Sequence, residues 1–175
     1  MNDLLSKIEN YSDPLIGVGL PSNNLKELIH SEKMLILHFL RHLGCMFCKH
    51  SVDELYKLKQ NYPQLPTIYF IHQSNLDVAE KFFAEHFPGA RHISDTKLAL
   101  YKIFQIKRVD YFNPSNFLML LKGIRLLLNK YKNQIIDNSD ITLLSGTFLF
   151  YEGKLVWQHR ASYAGDDPNW NKIKF

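Results

Sequence analysis

Cysteine is scarce in this chain: two residues in 175. A disulfide-built scaffold is excluded by that count, and a chain of this length buries enough surface to fold without staples. Charge is also thinly spread. The formal net charge is +4, yet no run of five like charges occurs, which excludes a nucleic-acid-binding arm. The densest basic stretch, Lys122, Arg125, Lys130 and Lys132, reads as the solvated face of an amphipathic helix. Long apolar runs are missing too. The most apolar stretch, 117–128, is broken by Lys122 and Arg125 and falls short of the roughly 20 residues that span a bilayer. The first dozen residues carry Asp3 and Glu9 and lack the apolar core of a secretory leader. The expectations are therefore a cytoplasmic protein with no membrane and no nucleic-acid partner. Gly17 and Gly19 do not open a phosphate-binding loop, since no strand-to-helix Gly-x-Gly-x-x-Gly follows. No paired-carboxylate or Ser-His-Asp spacing stands out.

What is present is an alternation of strand and helix patterns. Met34-Leu-Ile-Leu-His-Phe-Leu40 is a continuous apolar run of strand length, as in a central strand covered on both faces. Gly44 breaks it, and Val52, Leu55, Tyr56 and Leu58 then recur at helical spacing. Pro63 and Pro66 close that helix. Thr67-Ile-Tyr-Phe-Ile71 predicts a second buried strand, residues 75–87 a helix ended by Pro88-Gly89, and residues 91–94 a short third strand. A short helix is predicted over 96–104. Another, from about 115 to 131, would be capped by Asn113-Pro114-Ser115, and a polar loop follows over 133–140. Residues 146–151 and 154–159 read as two strands joined by the turn Glu152-Gly153. The whole predicts one α/β domain over 1–175: a mostly parallel central sheet with an antiparallel C-terminal hairpin and helices on both faces.

Within that order, Cys45 and Cys48 fall where a buried strand ends and an amphipathic helix begins. Ligands of open α/β sheets bind beyond the carboxyl ends of the strands. A helix N-terminus supplies free N–H groups and the positive end of the dipole, both of which favour a thiolate. The i, i+3 spacing sets both thiols on one side, within reach of a disulfide. Cys45, at the exposed start, is the expected nucleophile, and Cys48, inside the first turn, the resolving thiol. Arg41, His42 and Lys49 are candidates to add positive potential.

Other readings of the pair stand beside this one. A purely stabilising disulfide over so short a loop contributes only about 2 kcal/mol and is opened by cytosolic reductants. Two inert buried cysteines are common elsewhere. Zinc could draw on Cys45, Cys48, His42 and His50, but a second ligand cluster is lacking. His38, inside the apolar strand, reads as a satisfied core histidine. Tyr69, Phe70, Phe82, Phe83 and Phe104 read as core, and His86, Arg91 and His92, around the Pro88-Gly89 turn, as solvent-exposed.

The stretch Phe39-Leu-Arg-His-Leu-Gly-Cys-Met-Phe-Cys-Lys-His50 resembles the active-site segment of AhpC/TSA-related, peroxiredoxin-like proteins. A second block, Leu144-Ser-Gly-Thr-Phe-Leu-Phe150, followed by Gln158-His-Arg160 and Gly165-Asp166, resembles the family's closing strands and C-terminal turn. The helical segment of about 113–133, extra to a minimal thioredoxin, is also found in such relatives. The resemblance implies a thioredoxin-like fold with antioxidant or thiol-oxidoreductase activity. Two positions differ from the pattern. His42 stands where peroxiredoxins carry a Thr, with His38 near their Pro, and Gly146 stands where thioredoxins carry a proline facing the cysteines.

The function expected is thiol–disulfide oxidoreduction by Cys45 and Cys48, with Arg41 and Thr147 as local supports. The substrate would be a protein disulfide or a small peroxide. Electrons would come from an external thioredoxin- or glutathione-type thiol, since no cofactor motif is present. The alternatives are a peroxidase with Cys45 peroxidatic and Cys48 resolving, and a non-enzymatic redox-sensing module.

Overall fold

The computed structural model describes residues 2–110, 114, 116–128, 131 and 137–170. Along the chain these form α1 (Asn2–Glu9), β1 (Gly17–Val18), α2 (Leu25–His30), β2 (Met34–Phe39), α3 (Met46–Asn61), β3 (Thr67–His72), α4 (Leu76–His86), β4 (Arg91–Ser94), α5 (Ala99–Ile103), α6 (Asn116–Leu128), β5 (Gly146–Tyr151) and β6 (Lys154–Arg160). The strands lie in the order β1-β4-β3-β2-β5-β6.

The sheet is mixed, which corrects the expectation of a mostly parallel one. Only β2–β3 and β3–β4 are parallel, because α3 and α4 carry the chain back over the sheet between them. β1, β5 and β6 all join antiparallel. Two-residue β1 carries too little pattern to be read, and β5 runs back along the central strand β2. The tight turn between β5 and β6 forms as expected: Glu152 and Gly153 both take positive φ, 47° and 77°, the combination that matches the twist of hairpin strands.

Alternation along β2 builds a core on each face. Leu35, Leu37 and Phe39 pack with Leu4 and Ile8 of α1, Leu25 and Leu28 of α2, and Leu100 and Tyr101 of α5. Ile36 and the following Leu40 pack with Val52 and Leu55 of α3, Phe82 and Phe83 of α4, and Leu126 of α6. The expected helices on both faces are thus present. Burial also places the predicted aromatic core residues Tyr69, Phe70, Phe82, Phe83 and Phe104 inside.

Two local differences have plain causes. The helix predicted over 96–104 starts only at Ala99, because the Asp95 carboxylate accepts from the backbone N–H groups of Ala99, Leu100 and Tyr101 at 2.9, 2.8 and 3.1 Å and Leu98 turns with φ 58°. His92 is buried, not exposed, since β4 lies between β3 and β1. Its ring stacks on Phe83 at 4.7 Å, and its Nδ1 meets His72 Nε2 at 3.0 Å. Of the cap predicted for α6, Asn113 and Ser115 lie outside the described residues, as does much of the predicted 133–140 loop.

Candidate active site

The end of β2 is pinned where Leu40 N–H donates to Ile71 O at 2.8 Å. The chain then turns through 41–44 and enters α3 with Cys45 at the N-cap in extended conformation, φ −76° and ψ 127°. Cys48 follows within the first helical turn. No acidic residue occupies that turn, so the N–H groups of the helix start have no carboxylate competing for them. Both cysteines are free thiols.

Arg41 reaches across this turn. Its Nη1 lies 3.2 Å from Cys45 Sγ, and its backbone N–H donates to Cys48 Sγ at 3.3 Å. The rest of the guanidinium is held by carbonyls, Nε by Leu143 O and Nη2 by Ile141 O, each at 2.8 Å. The expected role of Arg41 beside the thiols thus has a geometry behind it. The exposure expected of Cys45 does not: it is 1% exposed and Cys48 3%. Arg41 bridges the sulfur to the 141–143 carbonyls and so closes that loop over the turn.

The two thiols are electrostatically unlike. The Cys48 thiol donates to the Cys45 sulfur and does most to bring the Cys45 pKa below the ordinary cysteine range, against the opposing effect of burial. The Arg41 guanidinium and the backbone N–H groups of Cys48 and Phe47 act in the same lowering sense. Burial pushes the Cys48 thiol well above its ordinary value, and the neighbouring Cys45 adds to this. Cys45 is thus the more acidic of the two thiols and Cys48 the less. His42 does not supply the positive potential expected of it. Burial, followed by Arg41, lowers its pKa to about 4, so its ring is neutral near pH 7.

Behind Cys48 lies a cavity of about 10 Å³ lined by His38, Ser51, Ser145 and Asp167, among others, room for about one water. His38 is indeed a satisfied core histidine: its Nδ1 meets Thr147 Oγ1 at 2.8 Å and its Nε2 meets Ser51 Oγ at 3.4 Å. Thr147 accordingly supports His38, and neither of these two bonds involves a thiol. Gly146 is packed from the side away from the cavity, where an added Cβ would meet Ile106 Cδ1 at 2.5 Å. Ser145 is the member of that segment beside Cys48. His50 turns away to Tyr131, ring centroids 5.5 Å apart. Among the described residues no group of three or more His, Cys, Asp or Glu is gathered as a metal site.

Sequence reasoning missed three contributors. The carbonyls of Ile141 and Leu143 leave no mark in a sequence. Gln73, which hydrogen-bonds Arg41 O, follows a strand as any loop glutamine might. Gly165, with φ 85°, packs against Phe47 so closely that a Cβ would lie 2.6 Å from its ring. That one was in view only as part of the C-terminal turn.

Known proteins agree with this architecture. The bacterioferritin comigratory protein of Xanthomonas campestris superposes with a TM-score of 0.59 at 16% identity, over 87% of this chain and 81% of that one. Xanthomonas campestris peroxiredoxin Q gives 0.58 at 18% identity, over 85% and 80%. The MTB dsbF structure gives 0.52 at 10%, over 88% and 87%. At these identities the likeness shows the fold, which is thioredoxin-like. A search of curated proteins finds no match.

The class is therefore that of thioredoxin-fold proteins. Within it, the model of the AhpC/TSA antioxidant enzyme matches residues 54–162, and the chain belongs to that family of thiol-dependent oxidoreductases. The matched stretch begins beyond Cys48, so the thiol pair itself is judged on geometry alone. Among the described residues no helix is long and apolar enough to cross a membrane.

Proposed function

We propose that Cys45 and Cys48 form a two-electron redox couple, with Cys45 the attacking thiolate and Cys48 the resolving thiol. The observation that supports this best is the convergence on one sulfur. Cys45 Sγ receives the Arg41 guanidinium at 3.2 Å, the Cys48 thiol and the first N–H groups of α3. Charge-assisted donors of this kind stabilise a thiolate at neutral pH.

With a disulfide substrate, Cys45 S⁻ attacks one substrate sulfur and expels the other as a thiolate. Cys48 then attacks Cys45 Sγ of the mixed disulfide, expelling the second substrate thiolate. The Cys45–Cys48 bond forms, the Cys48 proton and one from solvent pass to the two leaving sulfurs, and substrate gains two electrons. An external thiol of glutathione or thioredoxin type returns them.

The second reading, a thiol peroxidase, is favoured by the burial of Cys45. At 1% exposure the sulfur admits a small oxidant more readily than a protein disulfide. Cys45 S⁻ would then attack the distal peroxide oxygen to give Cys45–SOH, breaking the O–O bond and expelling the proximal oxygen, which takes up a proton and leaves as an alcohol or water. Cys48 would condense with the sulfenic acid, expelling water.

Titration of the full chain against glutathione redox buffers, read by thiol alkylation and mass spectrometry, tests the couple. A two-electron transition between about −180 and −300 mV is expected. No Cys45–Cys48 disulfide at any poise would overturn it. In a Cys48→Ser variant, stoichiometric peroxide that yields a trapped sulfenic acid on Cys45 selects the peroxidase; disulfide substrate that yields only a mixed disulfide selects the reductase.

A further inference from the structure

Outside the thiol pair, one buried amide is bonded on both of its ends. Gln73, the residue after β3, is 7% exposed. Its Nε2 donates to Arg41 O and, at 3.1 Å, to Asp140 O, while its Oε1 accepts from Asp140 N–H at 2.7 Å. These partners belong to two separate segments of the site. Arg41 carries the guanidinium that touches Cys45 Sγ. Residue 140 opens the stretch whose Ile141 and Leu143 carbonyls hold that guanidinium. Both ends of the Arg41 arrangement, its own backbone and the carbonyls that aim its side chain, are thus joined through one side chain from a third element.

We propose that Gln73 is a positioning residue for the thiol site, clamping the 41–45 turn to the 140–143 loop so that the Arg41 guanidinium stays on Cys45 Sγ. The chemistry calls for an amide. Two N–H donors and a carbonyl acceptor are used at once, which a carboxylate, hydroxyl or thioether does not supply. Leaving the Arg41 and Asp140 groups without their partner in a buried site is costly, so the two segments would shift apart to find water. An arginine so released loses the preorganisation that lets its planar fork bind a sulfur and two carbonyls together. Arg41's own two carbonyl bonds apart, the Arg108–Asp140 ion pair and Val109 N–H to Thr142 O at 2.7 Å tie the loop to residues 108–109 and not to the turn.

The charged and titratable groups around the thiols, besides Arg41, include His42 on the turn, Asp137 on the loop, which faces His42, Tyr101 of α5, which faces Cys48, and His38 and Asp167, which line the cavity behind Cys48. The inference rests on the reading of Cys45 as the attacking thiolate, and its test separates the two.

The reduced full chain is followed by the ultraviolet absorbance of the thiolate against pH and by iodoacetamide alkylation at about pH 5, below the lowered Cys45 midpoint, with the modified cysteine identified by mass spectrometry. Gln73→Met, nearly isosteric and without hydrogen-bonding groups of this kind, should raise that midpoint by about one unit and so slow Cys45 alkylation about tenfold. Arg41→Gln should slow it at least as much, and the double variant no further than Arg41→Gln alone, since the two act through one contact. Additive losses, or a Gln73→Met rate equal to wild type while Arg41→Gln is slow, would overturn the proposal. Should Gln73→Met fail to fold by circular dichroism, Gln73→Glu is read through the same cycle. The effect of its added charge persists without Arg41, whereas a loss of positioning does not. Wild-type Cys45 titrating as an ordinary cysteine would instead defeat the functional reading itself.

Discussion

Arg41 Nη1 stands 3.2 Å from Cys45 Sγ, and among the described residues no carboxylate shares that guanidinium: its other nitrogens are spent on the carbonyls of Leu143 and Ile141. Carbonyls orient a guanidinium without cancelling its charge, as an ion pair would. The full positive charge is thus presented to the sulfur from a direction the backbone fixes. This differs from the helix dipole, which acts on any group at an N-terminus and is equivalent to about half a charge.

Shape as well as charge should therefore matter at this position. Arg41→Lys keeps the charge but has one nitrogen where three contacts are needed. Cys45 alkylation at neutral pH is expected to fall several-fold. The wild-type rate, by contrast, should hold as pH drops below 8.5, the ordinary cysteine value, and decline only near the lowered Cys45 pKa. A lysine variant with the wild-type pH profile would show that charge alone suffices.

The buried histidines set the acid limit of stability. Burial lowers the pKa of His38 to about 4 and of His72 to about 3, against 6.5 in the unfolded chain. Between those values the unfolded state binds more protons, so unfolding free energy falls as pH drops below 6.5 and continues to fall toward the folded values. The slope is about 1.4 kcal/mol per pH unit for each proton taken up. Urea melts at about pH 7 and 5 should show a clearly lower midpoint at the acid end. Equal midpoints would mean that neither ring gains a proton on unfolding.

How far the sequence carried this reading depended on whether a feature was periodic or relational. The strands through Met34, Thr67 and Gly146 and the helix after Cys45 announce themselves by composition and spacing. So do the thiols, since a Cys-x-x-Cys at a strand-to-helix junction has a physical consequence wherever it folds. Two-residue β1, the direction of β5 beside β2 and the burial of His92 depend on which elements become neighbours, which no local pattern encodes. Cys45 was expected to be exposed because a helix start usually is. Its burial follows from Arg41 meeting carbonyls about a hundred residues away in sequence.

Gly165 ties the C-terminal turn to Phe47, one of the two residues between the cysteines. With φ 85° and the Phe47 ring 2.6 Å from where a Cβ would lie, Gly165→Ala imposes both backbone strain and a clash. Phe47 is itself buried among the residues of its core, so it yields only by displacing its neighbours. A loss of about 2 kcal/mol or more is expected in urea melts. A shift in the Cys45–Cys48 redox midpoint should accompany it, because Phe47 moves with the first turn of α3. An unchanged melt would show that the turn can relax away from Phe47.

Thr147 offers the opposite separation, stability without reactivity. Its hydroxyl is the partner of His38 Nδ1 at 2.8 Å, in a site where the ring is 1% exposed. Thr147→Val keeps the shape and strands that nitrogen, at a cost of about 1–3 kcal/mol. Thr147→Ser restores the hydroxyl and should recover most of the loss, since the missing methyl is worth less than the bond. Cys45 alkylation in both variants should stay near wild type, because the hydroxyl bonds His38, whose other ring nitrogen goes to Ser51, and neither bond involves a thiol. A valine variant with normal stability but slowed alkylation would reverse that order, making Thr147 a direct support of the thiolate.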